Sequence, residues 1–189
     1  MKIRWRDFSA AKAGSAAVEF AFVGGVAIFL VIEAMQTGFY FFVSASLDRA
    51  TTKAARQILT GGVSGQGLTA LQFRSQVLCP LLPSLMPCAN VVTNIQTVPE
   101  GTSPNGFYSF VKSDQSGIIM PTMDNNKTSY CIGTTGSYVY IQVFYAMPTM
   151  SPAWTALSSA SWNGSAVHFV GAYAAFKNEP FQGSAQGSC

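Results

Sequence analysis

The hydrophobic pattern of this chain opens near its N-terminus and runs long. From Ser15 to Leu47 the only charged residues are Glu19 and Glu33, and Phe20 to Ile32 is an almost unbroken apolar run. A bilayer span takes about 20 mostly apolar residues, and this run with its flanks supplies them. No proline occurs before Pro80, so helical spacing continues to Thr60-Gly61-Gly62, where paired glycines mark a C-terminal end. A single helix over Ser15 to Leu59 would reach about 67 Å, far more than a hydrocarbon core needs. Its outer half is amphipathic. Val43, Leu47, Ala54 and Ile58 share a face, with Arg49, Lys53 and Arg56 opposite. The inner half therefore belongs in lipid, and the outer half packs its apolar stripe on a soluble domain.

Beyond residue 61 the period changes. Thr69 to Leu78 fits a short helix, with Thr69 as N-cap and Pro80 as its stop. Residues 90–98, "NVVTNIQTV", alternate apolar and polar positions as a strand does. Residues 99–137 are rich in Gly, Pro, Ser, Thr and Asn and predict mostly loop, with a short strand at Phe107–Val111. "SYVYIQVFYAM", residues 137–147, is dense in β-branched and aromatic residues and is the strongest strand signal. Pro148 and Pro152 bracket an irregular connection, and "SAVHFVGAYAAF", residues 165–176, predicts a closing strand. The expected class is α+β, with three or four antiparallel strands packed on the outer half of the long helix.

Charge changes this picture only at the N-terminus. The formal net charge is +3, and Lys2, Arg4, Arg6 and Lys12 against Asp7 place all of it before Gly14. The remaining chain holds seven basic and seven acidic residues, so no concentrated basic surface exists and nucleic acid is not an expected partner. A secretory signal places its small-residue cleavage site after the apolar stretch. Here Ala10, Ala11, Ala13 and Gly14 come before it. Cutting at Gly14 would remove the charges and keep the helix; an uncleaved signal anchor is the alternative. Basic residues flank the span on both sides, Arg49, Lys53 and Arg56 following it, so they favour a cytoplasmic leader only slightly.

Within the span, Ala17, Ala21 and Gly25 recur every four residues, the spacing that lets membrane helices approach closely. Glu19 and Glu33 fall within about 40° of one face. Glu33 lies about 28 Å along the helix from Ser15, at the level of the outer headgroups. Glu19 lies about 6 Å in, where a charge is costly and takes a partner. If the chain is cut after Gly14, the new α-amino group on Ser15 of a neighbouring subunit supplies a cation.

Cysteine usage indicates an oxidising compartment. Cys79 and Cys88 enclose a Pro-rich loop and form the natural local pair, which leaves Cys131 with Cys189 as a second, less certain one. Zinc is a poor alternative, because no C-x₂₋₄-C knuckle is present and His168 is the sole histidine. Enzymatic parts are missing. His168 sits in a strand as a packing residue, and "GQGLTA", residues 65–70, follows a helix where a dinucleotide loop would follow a strand. Asp124, Asn125 and Asn126 lack a downstream glutamate and predict a turn before a calcium site. No catalytic residue, metal or cofactor is expected.

Gly14 followed by Ser15-Ala16-Ala17-Val18-Glu19-Phe20 resembles a type IV prepilin cleavage site, in which an aspartic membrane peptidase cuts after glycine and glutamate sits fifth. More narrowly, "SAAVEFAFV", "IEAMQTGFYFFVSASLDRATTKAARQILTG" and the terminal "AAFKNEPF" resemble a TadE-like minor pilin of the Tad (tight adherence) pilus system. The resemblance covers residues 14–62 and the last strand; Cys131, Cys189 and the long loop before residue 130 fall outside it. It implies a pilin-like fold in three parts: a leader, 1–14; a helix, 15–60, with its inner half in the membrane; and a periplasmic or extracellular domain, 61–189. It implies a minor pilin or pseudopilin that takes part in assembling a pilus for surface attachment, with Glu19 and Phe20 in recognition and assembly. Its implied partners are the prepilin peptidase, other major and minor pilins, the inner-membrane assembly platform and membrane lipid. Its implied location is the bacterial inner membrane, single-pass, with the C-terminal domain expected in the periplasm, or outside the cell once assembled in a pilus. A stand-alone membrane-anchored adhesin or binding module is the alternative from a different class.

Overall fold

A computed structural model describes residues 12–99, 106–158 and 160–180. Helix α1 runs without a break over Lys12–Leu59, about 72 Å at the usual rise per residue. It ends as its glycines predict. Thr60 N–H donates to Arg56 O, Gly61 N–H donates to Ile58 O, and Gly61 takes φ of +76°, a conformation that costs glycine nothing.

The stripe of α1 beyond residue 36 is the centre of the core. Val43, Leu47, Ala54 and Ile58 are all buried, as expected, and Arg49, Lys53 and Arg56 are exposed. Four antiparallel strands meet this stripe: β1 (Val91–Thr97), β2 (Tyr138–Pro148), β3 (Ala160–Trp162) and β4 (Ser165–Lys177), in spatial order β1-β2-β4-β3. The molecule is an α+β fold with α1 packed chiefly on β4 and β2. Val139, Ile141, Val143, Tyr145 and Met147 of β2 join the helix in one core, as do Val170 and Ala172 of β4. The alternate positions of β2 are buried too. Tyr140, Gln142 and Phe144 face the other way: Tyr140 and Gln142 lie beneath residues 106–130, and Phe144 packs against Tyr173 of β4. Burial on both faces explains why this strand is so continuously apolar.

The layer over that second face is held by side-chain amides. Asn94 and Gln142 are register partners across β1 and β2, and Asn94 Nδ2 donates to Gln142 Oε1 at 2.8 Å. Gln142 Nε2 donates to Ile119 O, Ser129 N–H donates to Asn94 Oδ1, and Asn125 Nδ2 donates to Val91 O. A loop of low regularity is thus fixed to the sheet without a ladder of its own.

Two sequence expectations need correction. The strand expected at Phe107–Val111 is a 3₁₀ helix, Gly106–Phe110, because Gly106 enters with φ of +60° and Ser109 Oγ donates back to Gly106 O. Only one bridge, Val111 with Ile118, forms there. The short helix after Thr69 starts with the expected N-cap, completed as a capping box by Gln72, but α2 (Ala70–Gln72) widens into a π-helical stretch, Phe73–Leu78. The connection between Pro148 and Pro152 is irregular, as expected, but beyond it lie two elements the pattern did not predict: α3 (Pro152–Leu157), with Ser151 as N-cap and Pro152 at the first turn, and then β3.

Candidate functional site

Residues 16–32 of α1 are almost all exposed. Phe20 is 79 % exposed, and Phe22, Val23, Val26, Ile28, Leu30 and Val31 are all exposed as well. This helix is long and apolar enough to cross a membrane. Gly14, Ala17, Ala21 and Gly25 lie on the exposed segment, and a Cβ at Gly14 or Gly25 would meet nothing within 4 Å. Glu19 lies exposed on the same segment, next to Phe20. The backbone at Ser15 is helical, its side chain lies outside the described residues, and so does the leader before Lys12.

Where the exposed segment ends, a polar junction begins. Glu33 accepts from Ser151 Oγ at 2.8 Å on one carboxylate oxygen and from Ala153 N–H at 3.4 Å on the other. Ser151 Oγ in turn accepts from Trp154 N–H at 3.2 Å. Gln36, 1 % exposed, accepts from Met150 N–H and donates to Pro148 O. Two polar side chains one helical turn apart therefore bind the start of α3 and the end of β2 to α1. The pattern alone places Glu33 at a headgroup level; the structure adds that it is engaged within its own chain. One turn on, Tyr40, Trp154 and His168 close a ring cluster with centroids 5.3 to 5.8 Å apart, so His168 packs against aromatic faces.

The far end of α1 is fastened by the "FKNEPF" stretch. Asn178, buried, donates through Nδ2 to Ile132 O at 2.8 Å and Thr134 O at 3.0 Å, and its backbone N–H donates to Ser137 O. Glu179 N–H donates to Leu59 O at 3.0 Å. One dipeptide thus joins the end of β4, the turn before β2 and the last turn of α1. In the sequence this motif shows only as a family likeness, because its partners lie far away along the chain.

Cys79 and Cys88 are disulfide-bonded, as expected. The second pairing has Cys189 outside the described residues, while Cys131 is buried and no described cysteine is free. Asp124 makes a turn: Oδ1 accepts from Asn126 N–H, and Oδ2 lies 3.7 Å from Lys127 Nζ. An open cleft of about 320 Å³ lies on the second sheet face, lined by Asn94, Gln96, Thr97, Ser109, Phe110 and Gln142 among others. Its amides are spent on one another and on the covering loop.

The chain matches no curated protein and no solved structure. Residues 14–56 match the family model described as TadE-like protein. The matched stretch begins at the glycine that precedes the exposed apolar segment and ends within the buried stripe of α1. Over residues 14–56 this chain is similar to the TadE-like family, which suggests an association with the Tad pilus system.

Proposed function

We propose that the chain is a minor pilin or pseudopilin, a structural subunit rather than an enzyme, that takes part in assembling a Tad pilus used for surface attachment. The observation that carries this is the coincidence of the TadE-like stretch with a helix of two halves, one exposed and apolar, the other gripped by a sheet. A subunit that leaves the bilayer for a fibre needs both: a hydrophobic half to exchange lipid for neighbouring helices, and a half rigidly fixed to the domain that must travel with it.

In this reading the prepilin peptidase cuts between Gly14 and Ser15. The domain stands in the periplasm, which the Cys79–Cys88 disulfide favours, since such bonds persist in oxidising compartments. The inner-membrane platform and the other pilins then take up the exposed segment of α1. Glu19 meets the α-amino group created on a neighbour's Ser15, a pairing that strengthens as the helix bundle becomes drier. Phe20 and the small residues Ala17, Ala21 and Gly25 give that bundle its close approach.

The test is the mature N-terminus of protein made in its own host, with co-purification of other pilins. A mature chain beginning at Ser15 is expected, and a chain beginning at Met1 overturns the reading in favour of an anchored module. Glu19→Ala is expected to keep insertion and the disulfide while losing incorporation with other pilins. Normal incorporation of that variant would leave Glu19 without a part in assembly.

A further inference from the structure

We infer that α3 and the hairpin beside it form a lipid-facing foot, on which the domain rests at the outer surface of the bilayer. The inference goes beyond the proposed assembly role and rests on α1 being a membrane span.

Counted from Ala16, a hydrocarbon core of about 30 Å takes about 20 residues of helix and ends close to Met35. That is the level of the Glu33 and Gln36 junction, so hydrogen bonds of this chain hold residues 148–153 at the edge of the hydrocarbon. Strand register extends the argument. Pro148 of β2 pairs with Val167 of β4, and β4 reaches its distal end near Leu59, so its first residue, Ser165, lies on the membrane side of that level. Trp162, Asn163 and Gly164, which turn β3 into β4, are there too.

The chemistry of this end suits lipid. Leu157 is 82 % exposed, Met150 66 % and Met35 70 %, three large apolar side chains on the segments that meet at this junction. Between Lys127 and Lys177 the chain has no Asp, Glu, Lys or Arg, so the foot brings no formal charge to the surface except Glu33, which its hydrogen bonds hold. On α1 the next charge is Asp48, about 22 Å further on. Exposed apolar side chains on an uncharged segment, with Trp154 and Trp162 in attendance, are the composition of an interfacial element. The surface is continuous with the apolar span, which already commits its neighbour to be lipid.

The experiment uses the full chain in phospholipid nanodiscs, with a nitroxide attached to Leu157→Cys or Met150→Cys. Val26→Cys serves as the label in the span and Gln57→Cys as the label in water. The readout is the ratio of collision rates with oxygen, which concentrates in lipid, and with a water-soluble nickel chelate. Ratios at both foot positions several-fold above that at Gln57 support the foot. Ratios equal to that at Gln57, with Val26 lipid-like, overturn it and leave the span intact. Low access to both reagents with spin–spin broadening overturns it in favour of a second copy on this face. A water-like ratio at Val26 removes the span, and the foot with it.

Discussion

Tyr130 is a buried side chain whose hydroxyl has no hydrogen-bond partner among the described residues, its ring lying 5.7 Å from that of Phe73. Burial pushes its pKa up to about 12. An unsatisfied buried hydroxyl costs about 1–3 kcal/mol, so Tyr130→Phe is expected to leave the domain as stable or raise it by about 1 kcal/mol, read from thermal melting. The sign of the pH effect follows from the raised pKa. The folded form keeps this proton longer than the unfolded one, so the contribution is whole below pH 10 and is lost as pH rises from there towards 12. The melting temperature of the native chain should fall more steeply over that window than that of Tyr130→Phe. Gly133 makes the opposite case. It has φ of +67°, and a Cβ there would come within 2.8 Å of Ser137 Cβ and 2.9 Å of Thr97 Cγ2. Gly133→Ala is expected to destabilise by about 1–3 kcal/mol, again by melting. At this scale the sequence was partly legible. Glu19 and the Cys79–Cys88 pair stood out because their types are unusual where they occur. Glu33 with Ser151 and the Asn178 fastening did not, since both are made by residues far apart in the chain.

Elements whose evidence is periodic were legible, and those made by a few residues were not. Helix α1 and strands β1, β2 and β4 each carry their pattern over many residues. Strand β3 has only three, too few to show alternation, although Asn163-Gly164, with φ of +50° and +81°, is a strong hairpin signal that could have found it. The 3₁₀ turn at Gly106–Phe110 resembles a strand in composition because its aromatic rings pack on the sheet: Phe110 lies 4.7 Å from Tyr140 and Phe107 6.4 Å from Tyr138. The loop from Cys79 to Cys88 has a different source of order. It leads from the π-helical stretch to β1, and the bond between its ends confines it. Closing a loop of this length restricts the unfolded chain by about 2–3 kcal/mol in the entropy model. Cys79→Ser with Cys88→Ser is expected to lower domain stability by that amount in denaturant titration, while membrane insertion of α1 stays unchanged.

Across the whole molecule, α1 belongs to two structures, an exposed span and a buried core. A chain beginning at Glu33 keeps every contact of α1 with α3 and the sheet described above, and is expected to fold, with a cooperative melt and an oxidised Cys79–Cys88 pair. A chain beginning at Asp48 loses Val43, Leu47 and the Gln36 junction, and is expected to aggregate or melt without cooperativity. The direction of the contacts carries a further consequence. Helix α1 and strand β4 run the same way, gripped near Gln36 at one end and at Leu59 by Glu179 at the other. Tension between the inner end of α1 and the C-terminal end of β4 therefore acts along their shared length. It loads the whole interface in shear at once, with no edge from which to peel. A single molecule pulled between residues 16 and 180 should yield in one high-force event, and the same domain pulled between residues 60 and 180, where α1 is left unstretched, should open strand by strand at lower force.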